Sequence, residues 1–197
     1  MHFPMEKKET DMSELIIRMA RPKDAKAILA IYEPYILETA ITFEVDIIPL
    51  EIFEDRMSKV QKQFPWLVGE KEGKIVGYAY CSSHYERAAF AWDCECSVYI
   101  AKESHHQGIA TALYTKLFQL IAKQGYYNIY SLIAVPHESS VALHKKFGFT
   151  EVGTYLKTGY KLGTWWDLLI LEKRLCSFDQ KPTKPWSIHE INIKDYI

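Results

Sequence analysis

The stretch His105-His106-Gln107-Gly108-Ile109-Ala110 sets two imidazoles and two small residues just ahead of a strongly amphipathic run. Two chemistries would use it. A two-histidine metal site on a helix wants i, i+4 spacing with a carboxylate nearby, whereas adjacent histidines in one helical turn point about 100° apart. The pair is a poor joint ligand set, and no metal is expected. The other chemistry is anion binding. A helix whose first turn lacks bulky side chains offers unpaired N–H groups and the positive end of its dipole. Gly108 and Ala110 are small where phosphates would have to approach the backbone of Ile109 and Thr111, and His105, His106 and Gln107 can donate beside them. The alternative is plain solvated loop histidines.

A second group lies upstream, in Cys94-Glu95-Cys96. In a strand, Cys94, Cys96 and Val98 share one face while Glu95, Ser97 and Tyr99 share the other. A carboxylate can therefore face a cleft, or stand ion-paired at a sheet surface. No second Cys or Cys/His pair at finger-like spacing completes a zinc tetrahedron, so the cysteines read as buried, reduced thiols.

The positioning elements follow from periodicity. Glu14–Ala20 is a β-branched first strand. Ala27, Ile28, Ile31, Tyr32 and Tyr35 recur at helical spacing, with Pro34 predicting a break or kink before Leu37. Pro49–Phe64 reads as a second helix. Pro65–Ser83 alternates around Glu72-Gly73, a β-hairpin. Ala89–Glu103 reads as one long strand, and a helix follows it with Ala112, Leu113, Leu117, Leu120 and Ile121 as its buried stripe and Gly125 as its stop. Asn128–Val135 is a strand, His137–Phe149 a short helix, and 150–175 holds the last two strands. The pattern predicts an α+β fold, a mixed sheet with helices on both faces.

At 197 residues the chain supports one domain. A net charge of −1 with a quarter of the residues charged gives no electrostatic reason to bind nucleic acid. No run of about 18 apolar residues offers a membrane span, and the charged N-terminus has no signal-like apolar region. The expected setting is cytoplasmic. The expected organisation is a leader at 1–12, a domain at 13–176, and a Pro-containing tail at 177–197 lying on the body or on a partner subunit.

The blocks AWDCECSVYIAKESHHQGIATALYTKLF and IAVPHESSVALHKKFGF resemble the GNAT superfamily of acetyl-coenzyme A-dependent acetyltransferases, and more narrowly the phosphinothricin and methionine sulfoximine N-acetyltransferases. IYEPYILETAITFE, FPWLVGEKEGKIVGYAY and GYKLGTWWDLLILEK extend the likeness to about residues 15–190. It implies the GNAT fold with a mostly antiparallel central sheet, acetyl-CoA as cosubstrate, a homodimer, and a small amine as acceptor. Its phosphate loop, Q/R-x-x-G-x-G/A, falls on His105–Ala110, with His in the first position. Its usual Asn before the third helix is here His137.

The resemblance makes Glu95 the base and gives main-chain groups of Val98 and Ile100 to the acetyl and pantetheine arm, if this strand splays from its neighbour. His137 and Ser140 would border the cofactor. Lys146, with Lys145, would meet the ribose 3′-phosphate or else solvate a helix face. His144, where many relatives have Tyr, would protonate the leaving thiolate or serve as an ordinary structural residue, with Tyr114 as the other donor. Phe43 and Glu44 match a substrate-lining segment. Arg87 is the candidate clamp for an α-carboxylate, with Phe90 and Trp92 as aromatic walls. The alternatives are core packing for Phe43 and Trp92 and a solvated charge for Arg87. The implied reaction is acetylation of the α-amine of an amino-acid analogue by direct attack in a ternary complex. The rival readings are acetylation of a peptide or protein N-terminus or another amine, and a silent coenzyme A-binding sensor.

Overall fold

Seven alternating segments join into one sheet in the computed structural model, which describes residues 14–179 and 181–197. The leader read at 1–12 lies outside the described residues. The strands are β1 (Ile16–Met19), β2 (Trp66–Lys71), β3 (Lys74–Ser83), β4 (Asp93–Ile100), β5 (Asn128–Val135), β6 (Thr150–Lys161) and β7 (Thr164–Arg174). Their order is β1-β2-β3-β4-β5-β7-β6. Every neighbouring pair is antiparallel except β4 with β5, which is parallel. The helices are α1 (Ala25–Glu38), α2 (Leu50–Gln61), α3 (Ile109–Gln124) and α4 (Glu138–Lys146).

Alternation along β3 and β4 divides the interior into two layers. Ala79, Cys81, Cys94 and Cys96 face α3, whose Leu113, Leu117, Leu120 and Ile121 are fully buried against them. Each such leucine contributes about 1.5–3 kcal/mol by leaving water. Val141, Leu143 and Phe147 of α4 pack on the same layer. Tyr78 and Tyr99 face the other way, into a layer built on Ile28, Tyr32 and Ile36 of α1 and on Phe53 and Met57 of α2. Helices thus cover both faces, as the periodicity predicts.

Gly69 and Gly77 are register partners in β2 and β3, and both sit under Ile109 at the start of α3. A Cβ at Gly77 would stand 2.6 Å from Ile100 Cδ1 and 3.4 Å from Ile109 Cγ2. The bare backbone here lets the N-terminus of α3 descend onto the sheet. At its other end α3 stops at Gly125, in the left-handed region at φ 88°, whose N–H caps the carbonyls of Ala122 and Ile121.

Two local expectations are corrected. Helix α1 runs unbroken through Pro34. Pro34 and Ala30 lie on its exposed side, so the carbonyl that loses its partner is left to water rather than to the core. The strand expected from Ala89 begins only at Asp93, because Ala88–Phe90 form a 3-10 turn.

The tail lies against the body. Gln124, fully buried on α3, donates from Nε2 to the carbonyls of Gln63 (2.7 Å) and Trp186 (2.8 Å), and Ile188 N–H donates to Gln63 O. Trp92 Nε1 donates to Thr183 O at 2.7 Å, so Trp92 is half-buried under the tail rather than in the core. Gln124→Met keeps the bulk and removes the donor from both carbonyls. It should cost about 1–3 kcal/mol, read as a lower urea midpoint at unchanged m-value, with faster proteolysis of residues 181–197; an unchanged midpoint would show that the tail is held by other contacts.

Candidate active site

Strands β4 and β5 pair only at Asp93↔Asn128, Cys94↔Ile129 and Glu95↔Tyr130. Beyond Glu95 they diverge, although β4 continues to Ile100 and β5 to Val135. The Ala101 N–H donates to Val76 O at 2.9 Å, on the β3 side. By alternation the main-chain groups of Ile100 and Val98 turn away from β3, into the gap. Tyr114 of α3, Ser131 and Ala134 of β5 and His144 of α4 wall that gap. Ile41, Val98, His137 and Ser140 line both it and an adjoining cleft of about 300 Å³ at the start of α3.

That cleft ends on the loop singled out in the sequence. Gly108 caps α3 at φ 77°, a conformation that favours glycine, and its carbonyl accepts from Ala112 N–H at 3.0 Å. The amides of Ile109, Ala110 and Thr111 precede the first intrahelical bond and face outward. Lys71 Nζ donates to Gln107 Oε1 (3.0 Å) and Gln107 Nε2 to Glu103 O (3.2 Å), which tie the loop to β2 and to its own preceding turn. Small residues, free amides and exposed imidazoles here suit a diphosphate, and the narrow gap beside them suits an extended arm and a thioester. His105 and His106 lie with ring centroids 6.2 Å apart and planes at 89°.

His105 turns inward. Its Nε2 stands 2.9 Å from Tyr35 Oη and 3.1 Å from Ile100 O, and the Tyr35 hydroxyl donates to the same carbonyl at 2.6 Å. This corrects two expectations: the Ile100 carbonyl is engaged within the chain, and one His105 nitrogen is committed to the end of β4. Only Nδ1 of His105 is left for a ligand.

Glu95 lies on the α1/α2 face at the point where the ladder with β5 ends. Burial raises its carboxyl above the usual range, and His84, with Nδ1 3.4 Å from Oε2, opposes the rise. The Glu95 side chain is still 32 % exposed, which keeps the net effect moderate.

His144 is buried, 2 % exposed. Its Nδ1 lies 2.8 Å from Ser140 O, which can only accept, so Nδ1 carries the hydrogen. Nε2 is then an acceptor, 3.2 Å from the Tyr114 hydroxyl and 3.9 Å from Cys96 Sγ. Burial lowers the His144 pKa, and burial lowers that of His137 at the N-terminus of α4. Of the two readings of His144, this arrangement favours the structural one, with Nδ1 donating to Ser140 O and Nε2 accepting from Tyr114.

The remaining candidates are dispersed. Phe43 lies across Gly159 of β6, where a Cβ would collide with its ring. Glu44 is paired with Arg56 at 2.8 Å. Ile41, two residues before Phe43, reaches the gap. Arg87 and Phe90 line a separate cavity of about 620 Å³ with Tyr85, Phe64 and Tyr126. It comes near Glu95 through Ser82, the register partner of Glu95 on β3, and through Tyr85, whose ring is 4.2 Å from that of His84. Lys146 is exposed on α4, outside the cleft lining. Among the described residues no cluster of three or more His, Cys, Asp or Glu could hold a metal ion, and no helix is long and apolar enough to cross a membrane.

Comparison with known proteins places this geometry. Residues 17–170 match the family model described as an acetyltransferase (GNAT) domain. The chain is 33 % identical over 152 residues to a phosphinothricin N-acetyltransferase of Streptomyces viridochromogenes, covering 77 % of this chain and 83 % of that one. A solved GNAT superfamily phosphinothricin acetyltransferase from Sinorhizobium meliloti, in complex with AcCoA, superimposes with TM-score 0.84 at 30 % identity, covering 88 % of this chain and 95 % of that one. A ribosomal-protein-alanine N-acetyltransferase from Brucella melitensis gives 0.79 at 32 % identity, over 81 % and 99 %.

The His144 environment predicts a pH effect on stability. The ordinary pKa of 6.5 applies to the unfolded chain, and the folded value is lower. Between the two the unfolded state binds more protons, so this histidine's contribution is complete above 6.5 and is lost as pH falls through that window. His144→Gln should flatten the fall in urea midpoint between pH 7 and 5. Long-range ¹H–¹⁵N spectra of the wild type should show the Nδ1–H tautomer at pH 7; an imidazolium at that pH would reverse the assignment.

Proposed function

The chain belongs to the GNAT acetyltransferase family and is an acetyl-CoA-dependent N-acetyltransferase, and we propose that its acceptor is the α-amine of a small amino-acid analogue of the phosphinothricin or methionine sulfoximine type. The observation that carries this reading is the gap between β4 and β5, open at one end to the amide-lined start of α3 and closed at the other where the ladder is registered at Glu95↔Tyr130. Acetyl-CoA bound there supplies an activated acetyl thioester.

The chain's own residues have three tasks. Amides 109–111, with Gln107 and His106, hold the diphosphate, while His105, its Nε2–H donating to Ile100 O, fixes the end of β4 beside them. His137, Ser140 and the main chain of Val98 border the arm, and the Val98 N–H is the donor we assign to the carbonyl oxygen as charge gathers on it. Glu95 takes a proton from the acceptor, whose α-ammonium has a pKa of about 8 or above and is mostly unreactive at pH 7. The amine then attacks directly with both reactants bound. An alkyl thiol has a pKa of about 8.5, so the leaving thiolate does not require His144 as an acid and takes its proton from solvent.

For the acceptor we assign Ile41 and Phe43 to one wall and the Arg87–Phe90 segment to the other, with Arg87 closing on the α-carboxylate when acceptor binds. Glu44 acts through its pair with Arg56, fixing the Phe43 segment. We also propose that the chain is cytoplasmic, that residues 13–176 form the domain with 177–197 as its tail, and that it works as a homodimer through the β6–β7 hairpin. β6 is an edge strand, and the hairpin exposes Val152, Tyr155, Leu156, Tyr160 and Trp165. A second reading, a protein N-terminus as acceptor, is favoured by the likeness to the Brucella melitensis structure.

Thiol release from acetyl-CoA should be measured with phosphinothricin, methionine sulfoximine, methionine sulfone, ordinary amino acids and an Ala-initiated peptide. Turnover with the first three supports the proposal; turnover with the peptide alone supports the second reading; silence despite tight coenzyme A binding identifies a sensor. Glu95→Gln should lower kcat/KM about 10²–10⁴-fold and abolish the acidic limb of its pH profile while leaving coenzyme A affinity unchanged. An intact limb would remove Glu95 as the base.

A further inference from the structure

Among the described residues the Glu95 carboxylate has one titratable neighbour within hydrogen-bond reach. His84 follows the last residue of β3, and its Nδ1 lies 3.4 Å from Glu95 Oε2. Its side chain is only 10 % exposed. The imidazole stacks on the Tyr130 ring at 4.3 Å with planes 12° apart, and Tyr130 is the β5 residue registered against Glu95 where the ladder ends. Tyr130 is itself pinned: its hydroxyl donates to Glu172 Oε1 on β7 at 2.8 Å, and Glu172 accepts from Arg174 Nε at 3.0 Å. Tyr85 closes the outer side of the ring. The charged groups around His84 are therefore Glu95 on β4, Glu172 on β7 through Tyr130, and, one step further out, Asp93 and Arg174.

We propose that His84 is a positioning residue for the acetyl-transfer reaction, its Nδ1–H donating to Glu95 so that the base stays ionised and aimed at the end of the gap. The inference rests on Glu95 being the base. The physical need is specific. A carboxylate withdrawn from water is driven towards its neutral form, which cannot accept a proton, and a donor on the charged form opposes that drive. A loop side chain holds a direction poorly unless it is clamped, and here the flat stack on Tyr130, anchored across two strands, supplies the clamp.

His84→Phe keeps a ring to stack on Tyr130 and removes both nitrogens. The acidic limb of its kcat/KM profile should move up by about one pH unit, so that kcat/KM on that limb falls about tenfold, while coenzyme A affinity and melting temperature stay near wild type. His84→Asn, whose amide nitrogen can stand where Nδ1 does, should return the limb towards its original position. A purely structural role predicts the opposite pattern, with altered melting temperature and an unmoved limb. If His84→Phe matches the wild-type profile while Glu95→Gln abolishes the limb, His84 has no such role and the base assignment stands. If Glu95→Gln keeps the limb, both assignments fall.

Discussion

A parallel pair of strands that stops after three registered residues is the constraint on which the rest of this structure depends. Main-chain groups buried without partners cost about 1–3 kcal/mol each, so a sheet does not part in its middle without support. Here β4 is held on its far side by seven registered residues of β3, and β5 by eight of β7. Each diverging strand thus belongs to a sound antiparallel sheet, and the parting falls between two rigid halves. At the far end of β4 the Tyr35 hydroxyl and His105 satisfy the Ile100 carbonyl, which leaves Val98 as the exposed main-chain position midway along the gap.

Four histidines near this gap show how surroundings divide one side chain into different tasks. His144 is buried behind Tyr114, with one nitrogen donating and the other accepting, and burial lowers its pKa. His137 stands at the N-terminal end of α4, where burial also lowers its pKa. His105 closes the end of a strand. His84 meets the carboxylate of Glu95 at the parting point of β4 and β5. Burial thus lowers the pKa of the two histidines that line the gap, and Glu95 stands at the end where the β4–β5 ladder is registered.

Periodicity in the chain was enough to find every helix and the sheet's division into two layers, because Leu113, Leu117, Leu120 and Ile121 repeat at the helical interval and Cys94, Cys96 and Glu95 at the strand interval. The loop at 105–110 was legible for the same local reason, since the need for small residues is written in consecutive positions. What stayed hidden involves distance along the chain. Tyr35 reaches Ile100 across 65 residues, and His84 reaches Glu95 across a connection with a 3-10 turn whose course no repeat encodes. Pro34 misled because its cost depends on which side of the helix it faces. His144 stayed open because its type and spacing say nothing about which nitrogen carries the hydrogen.

The bare patch made by Gly69 and Gly77 couples two properties usually treated apart. It sets how deeply Ile109 seats, and hence the height of the three amides that follow Gly108 above the floor of the cleft. Any methyl group introduced beneath Ile109 would tilt the anchor end of that helix like a shim under one leg of a table. Drift at these two glycines would then surface first as a displaced row of amides at the mouth of the cleft, well before the protein itself began to unfold.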